Sequence, residues 1–228
     1  MHLGGSWRAI GASAGILACV SMPARAAEPY VVDDASIGDV GECQVISWVS
    51  VASNGDFIGT TQPACVVRLG APVELTASVN AVRTDGEWAG LAGLQIKFIL
   101  LSLGHLAIAL VVSDLADATN KEHLAFVNVP YTIKMSDDMR VNINTGWLFK
   151  SESDTSHFTW GGGVEWDFAK SWTLTAEVFG ETGTLSEPRM QAGLRYTPMK
   201  SVDVDIIYGH NILGEHANWI TAGLTVRF

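Results

Sequence analysis

The last eleven residues, Asn218-Trp219-Ile220-Thr221-Ala222-Gly223-Leu224-Thr225-Val226-Arg227-Phe228, alternate between apolar and mostly polar or small side chains. Successive side chains of a β-strand point to opposite faces, so residues at every second position share a face. One face therefore carries Ile220, Ala222, Leu224, Val226 and Phe228. The other carries Trp219, Thr221, Gly223, Thr225 and Arg227. This period of two predicts an amphipathic final strand with one apolar face.

The same alternation recurs along the chain from Cys43 to Phe228. Stretches rich in Gly, Asn, Asp and Pro separate the alternating segments, and these residues favour turns because of their backbone conformations. Strands of about 10 residues joined by short turns are typical of a transmembrane β-barrel, and an even strand number places both termini on the periplasmic side. The predicted strands are 43–53, 58–69, 73–84, 88–101, 104–113, 122–134, 138–150, 156–168, 171–183, 187–198, 201–210 and 217–228.

Aromatic residues distinguish a barrel from a soluble β-sandwich, which also alternates. Phe158 and Phe168 share an apolar face, and at about 3.3 Å per residue and a tilt of about 40° they are roughly 25 Å apart along the membrane normal. This matches the height of the apolar band of an outer-membrane barrel. We predict two aromatic girdles, one formed by Trp147, Phe149, Phe158, Trp160 and Tyr208 and the other by Trp166, Phe168, Trp172, Tyr196 and Phe228.

The opposite face of the same strands is rich in glycine and carries charges of both signs. In a barrel this face would line the lumen, where opposite charges neutralise each other; the alternative is an ordinary solvent-exposed face. The predicted lumen-lining residues are Arg140, Glu165, Asp167, Glu177, Glu181, Arg189, Arg195, Asp203, Asp205 and Arg227. Pairing about the predicted turns places Arg140 opposite Glu165, Asp203 opposite Arg195, and Glu181 near Arg189.

The N-terminus has the pattern of an export signal. Arg8 precedes an apolar run from Ala9 to Met22, and Ala24-Arg25-Ala26 forms an A-x-A cleavage site, so residues 1–26 are predicted to be a signal peptide. Ile16-Leu17-Ala18-Cys19 also resembles a lipoprotein cleavage box, and lipidation of Cys19 is the alternative. Residues 27–42 are predicted to be a short periplasmic segment before a barrel domain of residues 43–228.

Charge and cysteine content narrow the class of protein. Removal of the signal peptide takes away two arginines and no acidic residue, so the net charge falls from −10 to −12. This acidic balance argues against nucleic acid as a partner, because that needs clustered Lys and Arg. Cys43 and Cys65 would remain as a pair in an oxidising compartment and are predicted to form a disulfide across the hairpin turn at Asn54-Gly55-Asp56. Two free buried thiols are the alternative.

The most apolar region, Leu91 to Val112, is the weakest match to a strand pattern. A transmembrane helix is the alternative there, but Gln95, Lys97 and His105 interrupt it. A charged residue inside a helical span costs about 2.5–3.5 kcal/mol on insertion scales. We therefore predict two strands with a turn at Ser102-Leu103-Gly104.

Catalytic and metal-binding alternatives rest on residues at the predicted outer rim. His157 beside Ser156 and His210 beside Asn211 would suit a hydrolase, but no G-x-S-x-G motif occurs. His123, His157, His210 and His216 also lie at predicted outer strand ends, without the close spacing of metal ligands on one strand. The prediction is therefore a protein that is not an enzyme and has no metal site or cofactor.

Several motifs resemble Gram-negative outer-membrane β-barrels, a likeness that covers residues 43–228. More narrowly, the chain is similar to uncharacterised alphaproteobacterial barrels that are themselves similar to the transporter family named for the MetA pathway of phenol degradation. The motifs are Gly146-Trp147, Thr159-Trp160-Gly161-Gly162-Gly163, Val178-Phe179-Gly180, Ala192-Gly193-Leu194-Arg195-Tyr196-Thr197-Pro198, Val202-Asp203-Val204-Asp205-Ile206-Ile207-Tyr208-Gly209 and the ending Asn218 to Phe228.

The resemblance implies an all-β, transmembrane, antiparallel up-and-down barrel of about twelve strands in the outer membrane. It also implies that the assembly machinery recognises the C-terminal strand, and that the barrel is a passive conduit for small solutes, apolar ones included. The solute is not specified. The alternatives are a structural or binding barrel with a sealed lumen, and a lipid or peptide hydrolase acting at the rim.

Overall fold

Twelve β-strands make up the regular structure of the described part of the chain. The computed structural model describes residues 29–117, 123–151, 155–183, 187–213 and 217–228. The predicted signal peptide and Cys19 lie outside these residues. The strands are β1 Cys43–Ala52, β2 Phe57–Leu69, β3 Ala71–Thr84, β4 Glu87–Leu103, β5 Leu106–Asp117, β6 His123–Lys134, β7 Met139–Lys150, β8 Thr155–Ala169, β9 Trp172–Glu181, β10 Arg189–Met199, β11 Val202–Asn211 and β12 Asn218–Arg227.

The strands form one closed barrel in which each pairs with its neighbours in sequence and β1 pairs antiparallel with β12. The backbone amides of Cys43 and Phe228 each donate to the other residue's carbonyl at 3.0 and 2.9 Å, so the chain closes at its two ends. Closure leaves no edge strand with unpaired backbone groups. The prediction of a twelve-stranded up-and-down barrel is confirmed, with strand bounds within four residues of the predicted ones.

We call the end of the barrel at Cys43 and Phe228 the lower end, and the opposite end the upper end. The side chains of each strand alternate between an exposed and a buried face, for example along β12, where Trp219 is buried and Ile220 is exposed. The exposed positions are mostly large apolar residues and the buried positions are largely polar. The barrel therefore has an apolar exterior and a polar interior, as a lipid-spanning barrel requires.

The apolar region from Leu91 to Val112 forms β4 and β5, as predicted, with the turn at Gly104-His105 rather than one residue earlier. The alternation persists through β4, because Gln95 and Lys97 are buried in the interior while Leu94 and Ile96 are exposed. A register shift between Ile99 and Leu101 interrupts it near the lower end. The described residues contain no helix that is long and apolar enough to cross a membrane.

A disulfide joins Cys43 to Cys65, as predicted. The two residues lie directly opposite each other at the lower end of β1 and β2, with their Cα atoms 4.1 Å apart. The turn at Asn54-Gly55 that sets this register is closed by a hydrogen bond from the Gly55 amide to the Ala52 carbonyl at 3.0 Å. The disulfide therefore fixes the strand that closes the barrel to its neighbour.

Removal of this disulfide by the double change Cys43→Ala and Cys65→Ala should lower the free energy of unfolding by about 3 kcal/mol, because the cross-link restricts the unfolded chain. Urea unfolding of the purified barrel in detergent measures the difference. Wild-type protein treated with a reductant is the matched control and should lose a similar amount. Equal stability of oxidised, reduced and doubly substituted protein would contradict the expectation.

Candidate functional site in the barrel lumen

The interior of the barrel is lined by polar and charged side chains, most of them buried. Charged groups in a low-dielectric interior are costly unless they are paired and hydrogen-bonded. The interior accordingly contains partnered networks rather than isolated charges. The buried lining includes Gln62, Glu74, Gln95, Lys97, Asn128, Asn142, Asn144, Glu177, Gln191, Arg195, Asp203 and Asp205.

Part of the N-terminal segment occupies the lumen. We call residues 29–35 the lumenal segment; all of them are buried except Asp34, which is partly buried. The backbone amides of Val31 and Val32 donate to the Glu177 carboxylate of β9 at 3.0 and 3.2 Å. The Gln191 side-chain amide donates to the same carboxylate at 2.8 Å. Glu177 therefore anchors the segment to the wall formed by β9 and β10.

The other end of the lumenal segment binds to β6 and β7. The Asp33 amide donates to Asn144 Oδ1 at 2.8 Å, and Asn144 Nδ2 donates back to the Asp33 carbonyl at 2.7 Å. The Ala35 amide donates to Thr132 Oγ1 at 2.8 Å. Side chains of the barrel thus form hydrogen bonds with the backbone groups of the segment. In a β-strand such groups would bond to the backbone of a neighbouring strand. No sequence pattern predicts this position inside the barrel, because the segment lacks an alternating pattern, and the periplasmic location of residues 27–42 stays a prediction.

A buried lysine holds the lumenal segment on a third side. Lys97 Nζ lies 2.9 Å from Asp33 Oδ1 and 3.4 Å from Asp34 Oδ1, and the Lys97 and Asp33 side chains are only 5% and 7% exposed. Burial alone would raise the pKa of the Asp34 carboxyl, but the Lys97 ammonium and two hydrogen bonds from Ser36 outweigh it and lower that pKa. Asp34 therefore faces Lys97 as a charged group at neutral pH.

Glycines in the wall allow the segment to lie close to the strands. A Cβ added at Gly161 would lie 2.9 Å from a Val32 methyl carbon, and one added at Gly193 would lie 2.8 Å from the Tyr30 hydroxyl. Real Cβ contacts of this length are avoided, so a larger residue at Gly161 would displace the segment. One at Gly193 would displace both the segment and Ile207 of β11, whose Cγ1 would lie 2.7 Å away. The glycine-rich inner face seen in the sequence is therefore, at these two positions, a surface fitted to residues of the same chain.

Ion pairs line the wall below the lumenal segment. Arg140 pairs with Glu165 at 2.6 Å, as predicted from the strand register. Arg195 pairs with Asp205 at 2.8 Å, and its guanidinium carbon lies 5.3 Å from the centre of the Tyr30 ring. The Arg195 and Asp205 side chains are 10% and 0% exposed, so this pair is buried. Arg195 therefore links the wall of the barrel to the lumenal segment.

One predicted pair is wrong. The sequence predicted Asp203 opposite Arg195, but Asp205 lies there, and Asp203 pairs with Arg227 and accepts a hydrogen bond from Thr197. The cause is the hairpin between β10 and β11, which turns at Lys200-Ser201 and has a register shift between Tyr196 and Met199. A turn one residue later than predicted moves the partner of Arg195 by two residues along β11. Because the side-chain period is two, every residue still points to the same face of the barrel wall.

The remaining predicted lumen residues occupy the two ends of the barrel. Asp167, which is 3.6 Å from Arg140, accepts a hydrogen bond from Thr173 near the lower end. Near the upper end, Glu181 of β9 lies opposite Thr159 of β8, and Arg189 of β10 lies opposite Phe179 of β9. Glu181 and Arg189 are therefore not directly opposite each other. Their predicted proximity stays a prediction.

The residues predicted to form the aromatic girdles lie on the exterior, and Phe158 is partly exposed there. The ring contacts join members of the same predicted girdle: Trp147 with Phe158 at 5.9 Å, Trp166 with Phe168 at 5.8 Å and Trp172 with Tyr196 at 4.7 Å. Their role at a membrane interface stays a prediction. Phe57 and Trp88 form a further exterior pair, at 5.6 Å, that the sequence analysis missed.

A cavity of about 500 Å³ lies between the lumenal segment and the lower end of the barrel. Residues of the segment, including Tyr30 and Asp33, line one side of it, and Cys43 and Cys65 line another. Its charged lining comprises six acidic residues, Asp33, Asp34, Glu42, Glu74, Glu165 and Glu177, and four basic ones, Lys97, Arg140, Arg195 and Arg227. The cavity is therefore polar, with an excess of carboxyl groups.

Sequence reasoning missed the residues contributed by β3, β4 and the lumenal segment. Lys97 and Gln95 were taken as interruptions of an apolar run, although their spacing of two residues places both on one face of a strand. That spacing was the signal that would have found them. Asp33 and Asp34 offered no comparable signal.

Three of the four predicted rim histidines make local contacts, and the fourth, His216, lies outside the described residues. His157 Nδ1 lies 2.8 Å from the Thr182 carbonyl, and His210 Nδ1 lies 2.6 Å from Asn218 Oδ1. His123 lies 3.2 Å from Asp114. In the part of the chain that the structure describes, no group of three or more His, Cys, Asp or Glu side chains is placed to hold a metal ion.

Several solved structures with the same fold are porins or outer-membrane channels. The KdgM porin in complex with disordered oligogalacturonate matches with a TM-score of 0.66 and 13% identity over 81% of this chain and 99% of the porin. The COG4313 outer membrane channel from Pseudomonas putida F1 matches with a TM-score of 0.63 and 10% identity over 86% of this chain and 98% of the channel. The NanC porin matches with a TM-score of 0.60 and 9% identity over 80% of this chain and 98% of that porin.

The sequence itself matches one family model. The family described as Uncharacterised conserved protein UCP029691 matches residues 15–228. No curated protein matches the chain significantly.

Proposed function

The chain belongs to the family described as Uncharacterised conserved protein UCP029691, and we propose that it is an outer-membrane channel for small polar solutes. One observation carries this proposal: the side chains of the barrel wall do not fill the lumen. The interior holds the lumenal segment and, below it, a cavity of about 500 Å³. Eight-stranded barrels are filled by their own side chains, whereas wider barrels leave space for ligands or channels.

The exterior supports a location in the outer membrane. Large apolar side chains are exposed on every described strand except β6, whose outward-facing apolar residues are partly exposed, and exterior aromatic rings pair near both ends of the barrel. In this orientation the lower end faces the periplasm, since both ends of an even-stranded barrel chain lie there. The C-terminal strand that closes the barrel would be the part that the assembly machinery recognises.

The lining favours neutral or cationic solutes over polyanions. Six carboxyl groups against four cationic groups line the lower cavity, so the local field opposes an acidic chain. The KdgM porin was solved with an oligogalacturonate, which is acidic, and we expect this barrel to discriminate against such a ligand. Apolar solutes, expected from the resemblance to the transporter family of the MetA pathway of phenol degradation, fit this charged lining less well.

A sealed binding or structural barrel is the second candidate, and the lumenal segment favours it. The segment is bound to β4, β6, β7 and β9 through Lys97, Thr132, Asn144 and Glu177. Contacts with several strands at once would hold the segment across the lumen. The two candidates therefore differ in whether the free space beside the segment is continuous.

Planar-bilayer recording distinguishes them. We expect the wild-type barrel to show small, cation-selective conductance steps, and a variant lacking residues 29–35 to show steps several-fold larger because the lumen widens. Heat-modifiable migration on gels provides the folding control for both proteins. A silent wild type with a conducting deletion variant would support the sealed barrel, and two silent but folded proteins would reject the channel.

A further inference from the structure

A second cavity lies in the lumen next to the wall formed by β1 to β5. Its volume is about 80 Å³. It adjoins the lower cavity. Thr76 of β3 and Gln95 of β4 line the second cavity, and the residues two positions away on the same faces, Glu74 and Lys97, line the lower cavity. Apart from Asp114, which lies beside the exposed His123, its lining is uncharged.

Three side chains of this lining form one row across neighbouring strands. Thr76 of β3 lies directly opposite Gln95 of β4, and Gln95 lies directly opposite Ser113 of β5. Directly opposed residues of antiparallel strands point to the same face with Cβ atoms about 5 Å apart. All three are at least nine-tenths buried. The row therefore places two hydroxyl-bearing side chains and one amide-bearing side chain next to one another in the lining of the cavity.

The Thr76 and Ser113 hydroxyls and Gln95 Nε2 have no hydrogen-bond partner among the described residues. The same holds for Trp48 Nε1 and Gln62 Oε1, which belong to β1 and β2 and line the same cavity. A buried polar atom without a partner costs free energy, so folded proteins rarely leave five of them around one cavity. Elsewhere in the lumen, comparable groups are used by the lumenal segment, as Asn144 and Glu177 are.

We infer that this cavity is a binding site for a small neutral polyol, with Trp48, Gln62, Thr76, Gln95 and Ser113 as its hydrogen-bonding groups. Two of these atoms are pure N–H donors, one is a pure carbonyl acceptor and two are hydroxyls that donate or accept. Hydroxyl groups of a polyol both donate and accept, which matches this mixture. An anion or cation would enter without a charged partner among these five groups, at a desolvation cost.

The position of the lumenal segment agrees with this assignment. The segment lies near the walls of β6, β7 and β9, as its contacts with Thr132, Asn144 and Glu177 show, and its hydrogen bond to β4 is the one from Lys97. The wall of β1 to β5 above Lys97 therefore carries five buried polar atoms that lack a partner among the described residues. The inference concerns binding alone and holds whether or not the barrel conducts.

Saturation-transfer NMR on the full chain folded in detergent tests the site, with D-glucose as the neutral probe and gluconate as the anionic one. We expect saturable transfer to glucose and none to gluconate. Gln95→Leu should weaken glucose binding by about tenfold because it removes a hydrogen-bonding amide. Thr76→Val is the isosteric variant, and it should weaken binding while leaving the unfolding midpoint in urea unchanged or higher, since the hydroxyl has no partner among the described residues.

Thr225→Val is the matched control. The Thr225 hydroxyl is also buried and without a partner among the described residues, but it lies on β12 outside this cavity. This variant should bind glucose as the wild type does. Absence of saturable glucose binding to the wild type, equal binding of gluconate, or equal effects of Thr76→Val and Thr225→Val would each overturn the inference. None of these readouts depends on conductance, so the channel proposal is tested separately.

Discussion

Replacement of Lys97 by methionine is expected to lower the free energy of unfolding by about 3–5 kcal/mol, because it leaves buried carboxylates without their cation. Methionine keeps most of the apolar stem of the side chain, so the change removes charge rather than volume. The Asp33 side chain is 7% exposed and lies 2.9 Å from the ammonium. Urea unfolding in detergent measures the loss, and the lumenal segment should detach, which bilayer recording would show as larger conductance steps.

A double-mutant cycle separates the pair from the packing around it. The single change Lys97→Met leaves the buried Asp33 carboxylate without its cation. Adding Asp33→Asn removes that negative charge, so part of the stability should return. Lys134→Met is the control, because Lys134 pairs with Asp137 at 3.0 Å but both side chains are more than half exposed. Such an exposed pair contributes little, so this variant should unfold like the wild type.

The stability of the Lys97→Met variant also distinguishes a lumen in which Asp33 is shielded from water from one in which water reaches it. If water reaches Asp33 freely, hydration replaces the lysine and the loss of stability will be small. A loss within experimental error for Lys97→Met, equal to that for Lys134→Met, would therefore contradict the buried network that the structure shows around Asp33 and Asp34.

The fold could be predicted from the sequence because the alternation of apolar and polar residues within each strand determines it. Alternation along Asn218–Phe228 reflects the contrast between an apolar exterior and a polar interior, and this contrast acts on every strand alike. The apolar region around Leu91 was the hardest part. There Leu, Ile and Phe outnumber the inward-facing Gln95 and Lys97, so the period of two is visible only when those two residues are treated as the signal.

The site could be predicted only in part, because it depends on contacts that no local pattern encodes. The Arg140–Glu165 pair followed from a short turn, whereas the Arg195 partner was missed when a turn moved by one residue. The lumenal segment was missed altogether. Its amides bond to side chains of strands about a hundred or more positions away, such as Asn144 and Glu177, and such long-range pairs leave no periodicity in the sequence.

These long-range contacts mean that part of the charged lining binds the lumenal segment and not a solute. A row of mixed charges in an empty pore would set ion selectivity alone. Here Glu177 is bound by two amides of the lumenal segment, and Lys97 is bound by two of its carboxylates. Part of the lining is therefore committed to holding the segment, and the groups left for a solute lie mainly in the lower cavity and along β1 to β5.

Arg195→Ala is expected to lower the free energy of unfolding by about 3–5 kcal/mol, because it leaves the fully buried Asp205 carboxylate without the guanidinium that lies 2.8 Å away. It also removes the cation above the Tyr30 ring, so the lumenal segment should loosen.

Adding Asp205→Asn to Arg195→Ala should restore part of the stability, while Arg68→Ala, a change at an exposed arginine near the lower end, should have no effect. An Arg195→Ala barrel that unfolds like the wild type but passes ions with altered selectivity would mean that water already reaches Asp205, and the lumen would then be open at this height.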